Sequence, residues 1–365
     1  MASKKISIMV LAGGTGGHIF PALAVADCLR AQGVDITWMG ATGGMETEIV
    51  KKAEFEIDSV PIKKLRGVGL LSWLLLPVNL FIAVARAWVI LGKRRPNTVL
   101  AMGGFAAGPG GLAAWLRRIP IVVHEQNAIP GLTNRVLSIF ARKVLCGFPN
   151  VFTSLPKAQH VGNPVRQEIN DIPVPKERFS DRSGPLRLLI IGGSSGAHVL
   201  NKVLPEATAN IEEQKRPEIW HQTGQQDAIE TVLHYRKYDI EAKVDAFIDD
   251  MAGAFAWADL AICRAGAMTI AELAAAGMAS ILVPYPFAVD DHQTVNAGFL
   301  VDNGAALLIP ETEFRVRRLA ETITELGNNR DVVLGMADKA RSCASPGAAE
   351  VVAEICMEAA HAKSN

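Results

Sequence analysis

Short runs, most of them apolar, alternate with longer stretches of helical spacing along the first half of this chain. Runs at Ile6–Leu11, Ile36–Met39, Glu56–Val60, Val99–Met102, Ile121–Val123 and Lys143–Cys146 read as strands, and stretches such as Ala22–Ala31 and Leu112–Arg118 read as helices. Strand and helix in strict alternation predict a parallel sheet with crossover helices. Around residues 172–185 the pattern lapses into IPVPKERFSDRSGP, rich in Pro, Ser and charge, which predicts a linker over 166–185. The alternation then restarts, with runs at Leu186–Ile191, Ile219–Gln222, Ala242–Phe247, Leu260–Cys263, Ser280–Val283 and Ala306–Ile309. The expected fold is α/β, with two Rossmann-like parallel-sheet domains, residues 1–165 and 186–344, facing across a cleft. Ligands are expected at the carboxyl ends of the strands.

Both halves open alike. Ile6–Leu11 leads into Gly13-Gly14-Thr15-Gly16-Gly17, and Leu186–Ile191 leads into Gly192-Gly193-Ser194-Ser195-Gly196. A third glycine pair, Gly103-Gly104, follows Val99–Met102. Glycine after a strand lets backbone N–H groups and a helix N-terminus approach a phosphate, because no Cβ intervenes. Glycine also serves tight turns that bind nothing, so the weight lies in there being three such loops. The nicotinamide-dinucleotide pattern fails, since Ile19 stands where its third glycine belongs and Trp38-Met39-Gly40-Ala41 offers no ribose-binding acid. No G-K-[ST] makes a P-loop, and no D-x-D occurs to grip a metal–diphosphate.

Composition narrows the class. At 365 residues with 49% hydrophobic and 20% charged residues, the chain is long enough for two cores and belongs with globular α/β proteins. Five scattered cysteines without a C-x-x-C pair argue against both a disulfide framework and a zinc site. The apolar run after Lys4 and Lys5 enters a glycine loop without a cleavage site, so it reads as a strand and not a signal peptide. The net charge of zero hides an asymmetry, with 18 Lys/Arg against 8 Asp/Glu in residues 1–165 and 19 against 29 in residues 166–365. Ser59 to His124 contains no acidic residue but holds Lys63, Lys64, Arg66, Arg86, Lys93, Arg94, Arg95, Arg117 and Arg118, a character that suits a phosphate-rich surface. Inside it, Gly67 to Ala85 is a 19-residue uncharged stretch. Its place between two strands of one sheet argues against a bilayer span. The two readings are an interfacial helix that dips Leu74, Leu75, Phe81 and Trp88 into one leaflet, and an ordinary buried amphipathic helix.

Individual residues carry chemistry. His18 follows the first glycine loop at a helix start, where the positive dipole end favours a neutral ring able to accept a proton, or where a histidine simply caps and packs. His124, at a strand end, is either functional or a polar turn cap. The run Arg264 to Glu272 enters an alanine-rich helix whose first turn suits a diphosphate, with Glu272 placed to meet ribose hydroxyls or merely the helix dipole. Without a metal grip, helix dipole and Arg are the natural stabilisers of a leaving diphosphate.

Six motifs in order and spacing resemble one family: Gly13-Gly14-Thr15-Gly16-Gly17-His18, His124-Glu125-Gln126-Asn127, Gly162-Asn163-Pro164-Val165-Arg166, Gly192-Gly193-Ser194, Phe247-Ile248-Asp249-Asp250-Met251 and Arg264-Ala265-Gly266-Ala267-Met268-Thr269. They are similar to the MurG family of bacterial transferases, in glycosyltransferase family 28. The resemblance implies a GT-B fold and inverting transfer of N-acetylglucosamine from UDP-GlcNAc to the 4-hydroxyl of the muramoyl unit of lipid I, giving lipid II for peptidoglycan synthesis. It implies donor binding by Thr15, Gly16, Gly17, Asn127, Arg166, Ser194, Ile248, Ala267, Met268, Thr269, Ile270, Ala271, Glu272 and Gln293. His18 and His124 would be catalytic, His18 as base and His124 helping to position a sugar, while Gly13, Gly14, Gly103 and Gly104 would face the acceptor diphosphate. It also implies no cofactor and no essential divalent metal, and a C-terminal helix, within 345–365, packed back on the first domain. The expected setting is peripheral, on the cytoplasmic face of the bacterial inner membrane, with anionic phospholipid and other cell-wall synthesis proteins as partners and no nucleic acid. Phe105, where some relatives have Tyr, and His292-Gln293, in place of a Gln pair, depart from the family pattern. The alternatives are another UDP-sugar transferase on a lipid acceptor, a sugar epimerase, and a non-catalytic nucleotide-sugar-binding scaffold.

Overall fold

In the computed structural model, residues 5–62, 76–193 and 196–362 are described. The chain divides into two compact units, Met1–Arg166 with Gly347–Asn365, and Gln167–Pro346. The first unit holds seven strands: β1 (Ser7–Ala12), β2 (Asp35–Ala41), β3 (Glu56–Val60), β4 (Thr98–Gly103), β5 (Ile121–Glu125), β6 (Lys143–Cys146) and β7 (Ala158–His160). They lie in the order β3-β2-β1-β4-β5-β6-β7, every pair parallel. The second unit holds β8 (Arg187–Ile191), β9 (Glu218–Gln222), β10 (Ala242–Asp245), β11 (Leu260–Cys263), β12 (Ala279–Leu282) and β13 (Ala306–Leu308). Their order is β10-β9-β8-β11-β12-β13, again parallel throughout. The expected α/β class with two Rossmann-like sheets is what the chain forms.

Burial explains the alternation. Strands β4, β5, β11 and β12 are buried at every position, as strands covered by helices on both faces must be. In each sheet the strand order reverses beside the first strand, between β1 and β4 and between β8 and β11. Such a reversal opens a crevice at the strand carboxyl ends. Gly13–Gly17 follows β1, Gly103 ends β4, Gly192 and Gly193 follow β8, and Arg264 follows β11, so the glycine loops fall at these two points.

Three elements differ from expectation. The first helix begins at Gly16, not Ala22, and runs through Pro21 to Ala31. Residues 167–185, expected as a linker, form two short helices, Gln167–Asn170 and Pro175–Phe179. The physical reason is a pair of arginines: Arg178 donates to the Ala276 and Gly277 carbonyls at 2.7 and 2.6 Å, and Arg182 to the Trp257 and Ala256 carbonyls at 2.8 and 2.6 Å. Each guanidinium satisfies carbonyls that a helix end leaves unpaired. The edge strand β7 carried no apolar signal at all.

The C-terminal helix, Ala348–His361, lays Ala349, Val352, Ala353, Cys356 and Ala359 against Ile8, Val10, Leu100 and Val122 of the first unit. Of the uncharged stretch, Leu74 and Leu75 lie outside the described residues. The helix Leu76–Arg94 buries Ala83, Ala87 and Leu91, four residues apart, while Phe81 stays 74% and Trp88 40% exposed. Val78, Ile82 and Val89 are exposed as well. No helix among the described residues is long and apolar enough to cross a membrane.

In the second unit His221 is fully buried, its ring nitrogens 3.0 Å from the Tyr235 hydroxyl and 3.0 Å from Asn201 Oδ1. Burial pulls its pKa down to about 3. Below an unfolded value of about 6.5, the unfolded chain therefore binds a proton that the folded chain refuses, and stability falls with falling pH at about 1.4 kcal/mol per unit for this group. Replacing His221 by Gln is expected to remove that contribution to the slope of unfolding free energy between about pH 6 and pH 4.5. Urea titrations of both proteins across that window check it, and parallel slopes would refute it.

Candidate active site

Each unit carries a cluster of polar groups at its strand-order reversal. In the first, the loop after β1 and the loop after β4 interlock through glycine. Gly103 and Gly104 have φ of +112° and +88°, in the half of backbone space that favours glycine. A Cβ on Gly104 would stand 2.2 Å from the Gly13 carbonyl oxygen, and one on Gly103 2.7 Å from the His18 ring. The loops touch only because neither residue has a side chain.

His18 sits in the first turn of the helix Gly16–Ala31, its Nδ1 3.2 Å from Thr15 Oγ1. Burial lowers its pKa to about 4, with the Gly13 carbonyl and the Glu46 charge pulling the other way. The ring is therefore neutral at physiological pH, as expected, but desolvation and not the helix dipole is the chief cause. Thr15 makes no side-chain cap and the first turn holds no acidic residue, so the positive helix end is open to an anion. Of the glycines expected to face the acceptor diphosphate, Gly14 already gives its amide to Glu46 Oε2 at 3.0 Å. That N–H is not available to a phosphate.

His124 needs a correction. It is wholly buried, with Nε2 3.0 Å from the Gly162 carbonyl and Nδ1 3.1 Å from the Gln126 amide nitrogen. The carbonyl must receive a proton and the amide must give one, which sets the Nε2–H tautomer. Burial lowers the His124 pKa to about 4. With both nitrogens engaged, the ring braces the strand end against the Gly162 turn. Beside it, Glu125 accepts from the Asn127 and Gly131 amides at 2.9 and 3.0 Å and from Asn134 Nδ2 at 3.0 Å, and burial raises its pKa. Asn127 is thereby held at the strand end, its Nδ2 also 3.2 Å from Glu125 Oε1. Arg166 lies with its guanidinium 5.6 Å from the centre of the Phe20 ring.

In the second unit Ser194 lies outside the described residues, but its neighbour Gly193 is clamped. Gln222 Oε1 accepts from the Gly193 amide at 2.9 Å, and Gln222 Nε2 donates to the Gly193 and Ala246 carbonyls at 3.0 and 3.1 Å. One side chain thus joins the glycine loop to the segment leading into Ile248, which is itself buried. The helix Ala267–Ala276 starts at Gly266 with no side-chain cap and no acid in its first turn. Ala267 and Met268 are buried, as is Ile270, while Thr269, Ala271 and Glu272 are partly exposed. Gln293 Oε1 accepts from the Ala265 and Tyr285 amides at 3.2 and 2.9 Å, which fixes the approach to that helix. Arg264 is committed elsewhere: it donates to the Val283 and Pro284 carbonyls at 3.2 and 3.3 Å and lies 2.5 Å from Glu311. Among the described residues no three His, Cys, Asp or Glu side chains gather as a metal would require.

A paired set of Rossmann-like units with open helix ends, a neutral histidine and clamped glycine loops is the equipment of a nucleotide-sugar glycosyltransferase. The chain belongs to glycosyltransferase family 28, whose N-terminal domain matches residues 8–146 and whose C-terminal domain matches residues 187–353. It is 49% identical over 355 residues to the UDP-N-acetylglucosamine--N-acetylmuramyl-(pentapeptide) pyrophosphoryl-undecaprenol N-acetylglucosamine transferase of Nitrosococcus oceani, covering 97% of this chain and 99% of that protein. The protein of the same name from Coxiella burnetii is 48% identical over 351 residues, 96% of this chain and 98% of that one. Among solved structures, Acinetobacter baumannii MurG matches with a TM-score of 0.83 at 38% identity, over 97% of this chain and 99% of that chain. UDP-GlcNAc 2-epimerase from Neisseria meningitidis shares the fold, with a TM-score of 0.65 at 12% identity over 97% of this chain and 100% of that chain.

Glu46, Gln222 and Asn134 were missed by sequence reasoning. Glu46 and Gln222 act on loops about thirty residues away, of which only the glycines stood out along the chain, and Asn134 braces the end of β5 from the following helix. Gly104→Ala forces an L-residue into positive φ against the Gly13 carbonyl. It is expected to cost about 1–3 kcal/mol of stability and most of the transfer activity, read by thermal melting and initial rates. A variant with wild-type melting and rate would dissolve the interlock.

Proposed function

We infer that this chain is an inverting transferase that moves N-acetylglucosamine from UDP-GlcNAc to the 4-hydroxyl of the MurNAc unit of undecaprenyl-pyrophosphoryl-MurNAc-pentapeptide, lipid I, and so makes lipid II for peptidoglycan. The observation that carries this reading is the 49% identity over 97% of the chain to the Nitrosococcus oceani transferase.

On this reading the donor lies on the second unit. The backbone of Ile248 meets the uracil, Glu272 the ribose hydroxyls, and Ser194 with the open helix start at Ala267, Met268 and Thr269 the diphosphate. Ile270 and Ala271 serve through the same helix backbone. Gln293 reads the sugar. Thr15, Gly16, Gly17, Asn127 and Arg166 of the first unit complete donor recognition. Gly13, Gly103 and Gly104 border the acceptor's diphosphate. The acceptor oxygen forms its bond to the anomeric carbon as the bond from that carbon to the diphosphate oxygen breaks. Its proton passes to the neutral His18 ring, and UDP leaves with the bonding electron pair. Leaving-group charge is met by backbone dipoles already aimed at it, which cost no reorganisation during the reaction, and no divalent metal takes part.

The enzyme works as a peripheral protein on the cytoplasmic face of the inner membrane, against anionic phospholipid. The exposed Val78, Phe81, Ile82 and Val89 stripe, set in a segment with no acidic residue from Ser59 to His124, supports this placement.

His18→Ala is expected to lower kcat for transfer of labelled GlcNAc to lipid I by about two to four orders of magnitude, while UDP affinity in calorimetry stays near wild type. Chelator leaves the wild-type rate unchanged. Absence of a lipid-linked disaccharide from the wild-type enzyme would end the reading, and chelator sensitivity would end its metal-free part. Phe81→Ser is expected to weaken partition to anionic vesicles about tenfold, measured by sedimentation, with transfer to a short-chain soluble acceptor unchanged. Equal partition of the two proteins would remove this helix from the lipid contact.

A further inference from the structure

Glu46 is a carboxylate with no place in the reading above, and it is completely buried. Removing a carboxylate from water is costly unless hydrogen bonds replace the lost solvent. Here two backbone amides do so. Oε1 accepts from Ala41, at the end of β2, at 2.7 Å, and Oε2 accepts from Gly14 at 3.0 Å. The space for the group is made by three glycines, one in the loop after β1, one within β2 and one in the turn after β2: a Cβ on Gly13, Gly40 or Gly44 would come within 2.3, 2.6 or 2.5 Å of the Glu46 side chain. A side chain enclosed on three sides by missing side chains can adopt one position only.

That position bears on His18. Beside the Gly103 backbone, the Gly13 carbonyl and Thr15 Oγ1 act on the His18 ring, and these two flank Gly14, the residue whose amide Glu46 holds. We propose that Glu46 is a positioning residue for the transfer reaction: by fixing the Gly14 amide it fixes the turn from which the His18 ring is aimed. The proposal rests on the reading of His18 as base. The charge also acts in the useful direction, because a nearby carboxylate favours the imidazolium that forms when the acceptor hydroxyl gives up its proton.

The test uses the full-length enzyme with Glu46→Gln, which keeps the shape but turns an NH2 group toward one of the two amides, and with Gly44→Ala, which leaves the charge but displaces it. Three quantities are measured: kcat and both KM values for transfer to lipid I, UDP affinity by calorimetry, and the ring nitrogen shifts of His18 in 15N-histidine NMR, assigned with His18→Ala. The expected result is a kcat at least about tenfold lower in both variants, a donor KM and UDP affinity within about twofold of wild type, and a changed His18 tautomer balance. An unchanged kcat overturns the proposal. So does a loss of UDP affinity in step with kcat, which marks a general structural effect, or a lowered kcat with unaltered His18 signals. Should the wild-type enzyme transfer nothing to lipid I, the functional reading fails, while the His18 spectra still decide whether Glu46 positions the ring.

Discussion

The constraint on which the first site depends is backbone against backbone: a Cβ on Gly104 would stand 2.2 Å from the Gly13 carbonyl oxygen, so there is no room for a single methyl group. A parallel sheet ends its strands in amides and helix starts that can serve an anion, but only if nothing fills the approach. Positive φ at Gly103 and Gly104 turns the chain sharply at the end of β4 and brings it against the loop after β1. His18 occupies what is left, against the Gly103 α-carbon. Every later feature, the neutral ring, the open helix start and the enclosed Glu46, presupposes that packing.

The two units hold equivalent loops with different chemistry. In the first, a carboxylate takes one amide of the loop and lies near the ring proposed to take up the acceptor's proton. In the second, Gln222 takes both the amide and the carbonyl of Gly193, which a carboxylate cannot do because it has no proton to give. A neutral amide also adds no negative charge beside a loop proposed to hold a diphosphate. The choice between Glu and Gln at these two places follows the sign of the charge each neighbourhood has to accommodate.

The central strands were legible because they are buried on both faces and so are written as largely apolar runs. Lys143–Cys146 and Leu260–Cys263 match expectation residue for residue. What escaped lacked that signal. β7 is a three-residue edge strand with Gln159 and His160 exposed. The apolar spacing marked the first helix only from Ala22 because Gly16 and Gly17, which open it, have no side chains to carry that spacing. In the site, glycine loops could be recognised but their occupants could not. The glycines around Glu46 come from the loop after β1, from β2 and from the turn after it, and nothing local says that Gly14 gives its amide away. His124 misled because a polar residue at a strand end looks available, whereas β5 is an interior strand and the Gly162 carbonyl, distant in sequence, receives the ring.

Charge distribution sets a last condition on any diphosphate held by the second unit. Residues 166–365 carry 19 basic against 29 acidic groups, so the long-range field there repels the ligand. Salt screens that field beyond about 8–10 Å, and within this distance orientation matters more than net charge. Arg264 is spent on the Val283 and Pro284 carbonyls and on Glu311, which leaves the uncapped turn at Gly266–Thr269 as the nearest donor group. On the proposed reading, recognition on this unit falls to that uncapped helix start, whose approach Gln222 and Gln293 brace by taking up the Gly193, Ala265 and Tyr285 amides. The basic, acid-free stretch of the first unit carries the charge that the proposed contact with an extended anionic surface would draw on at long range.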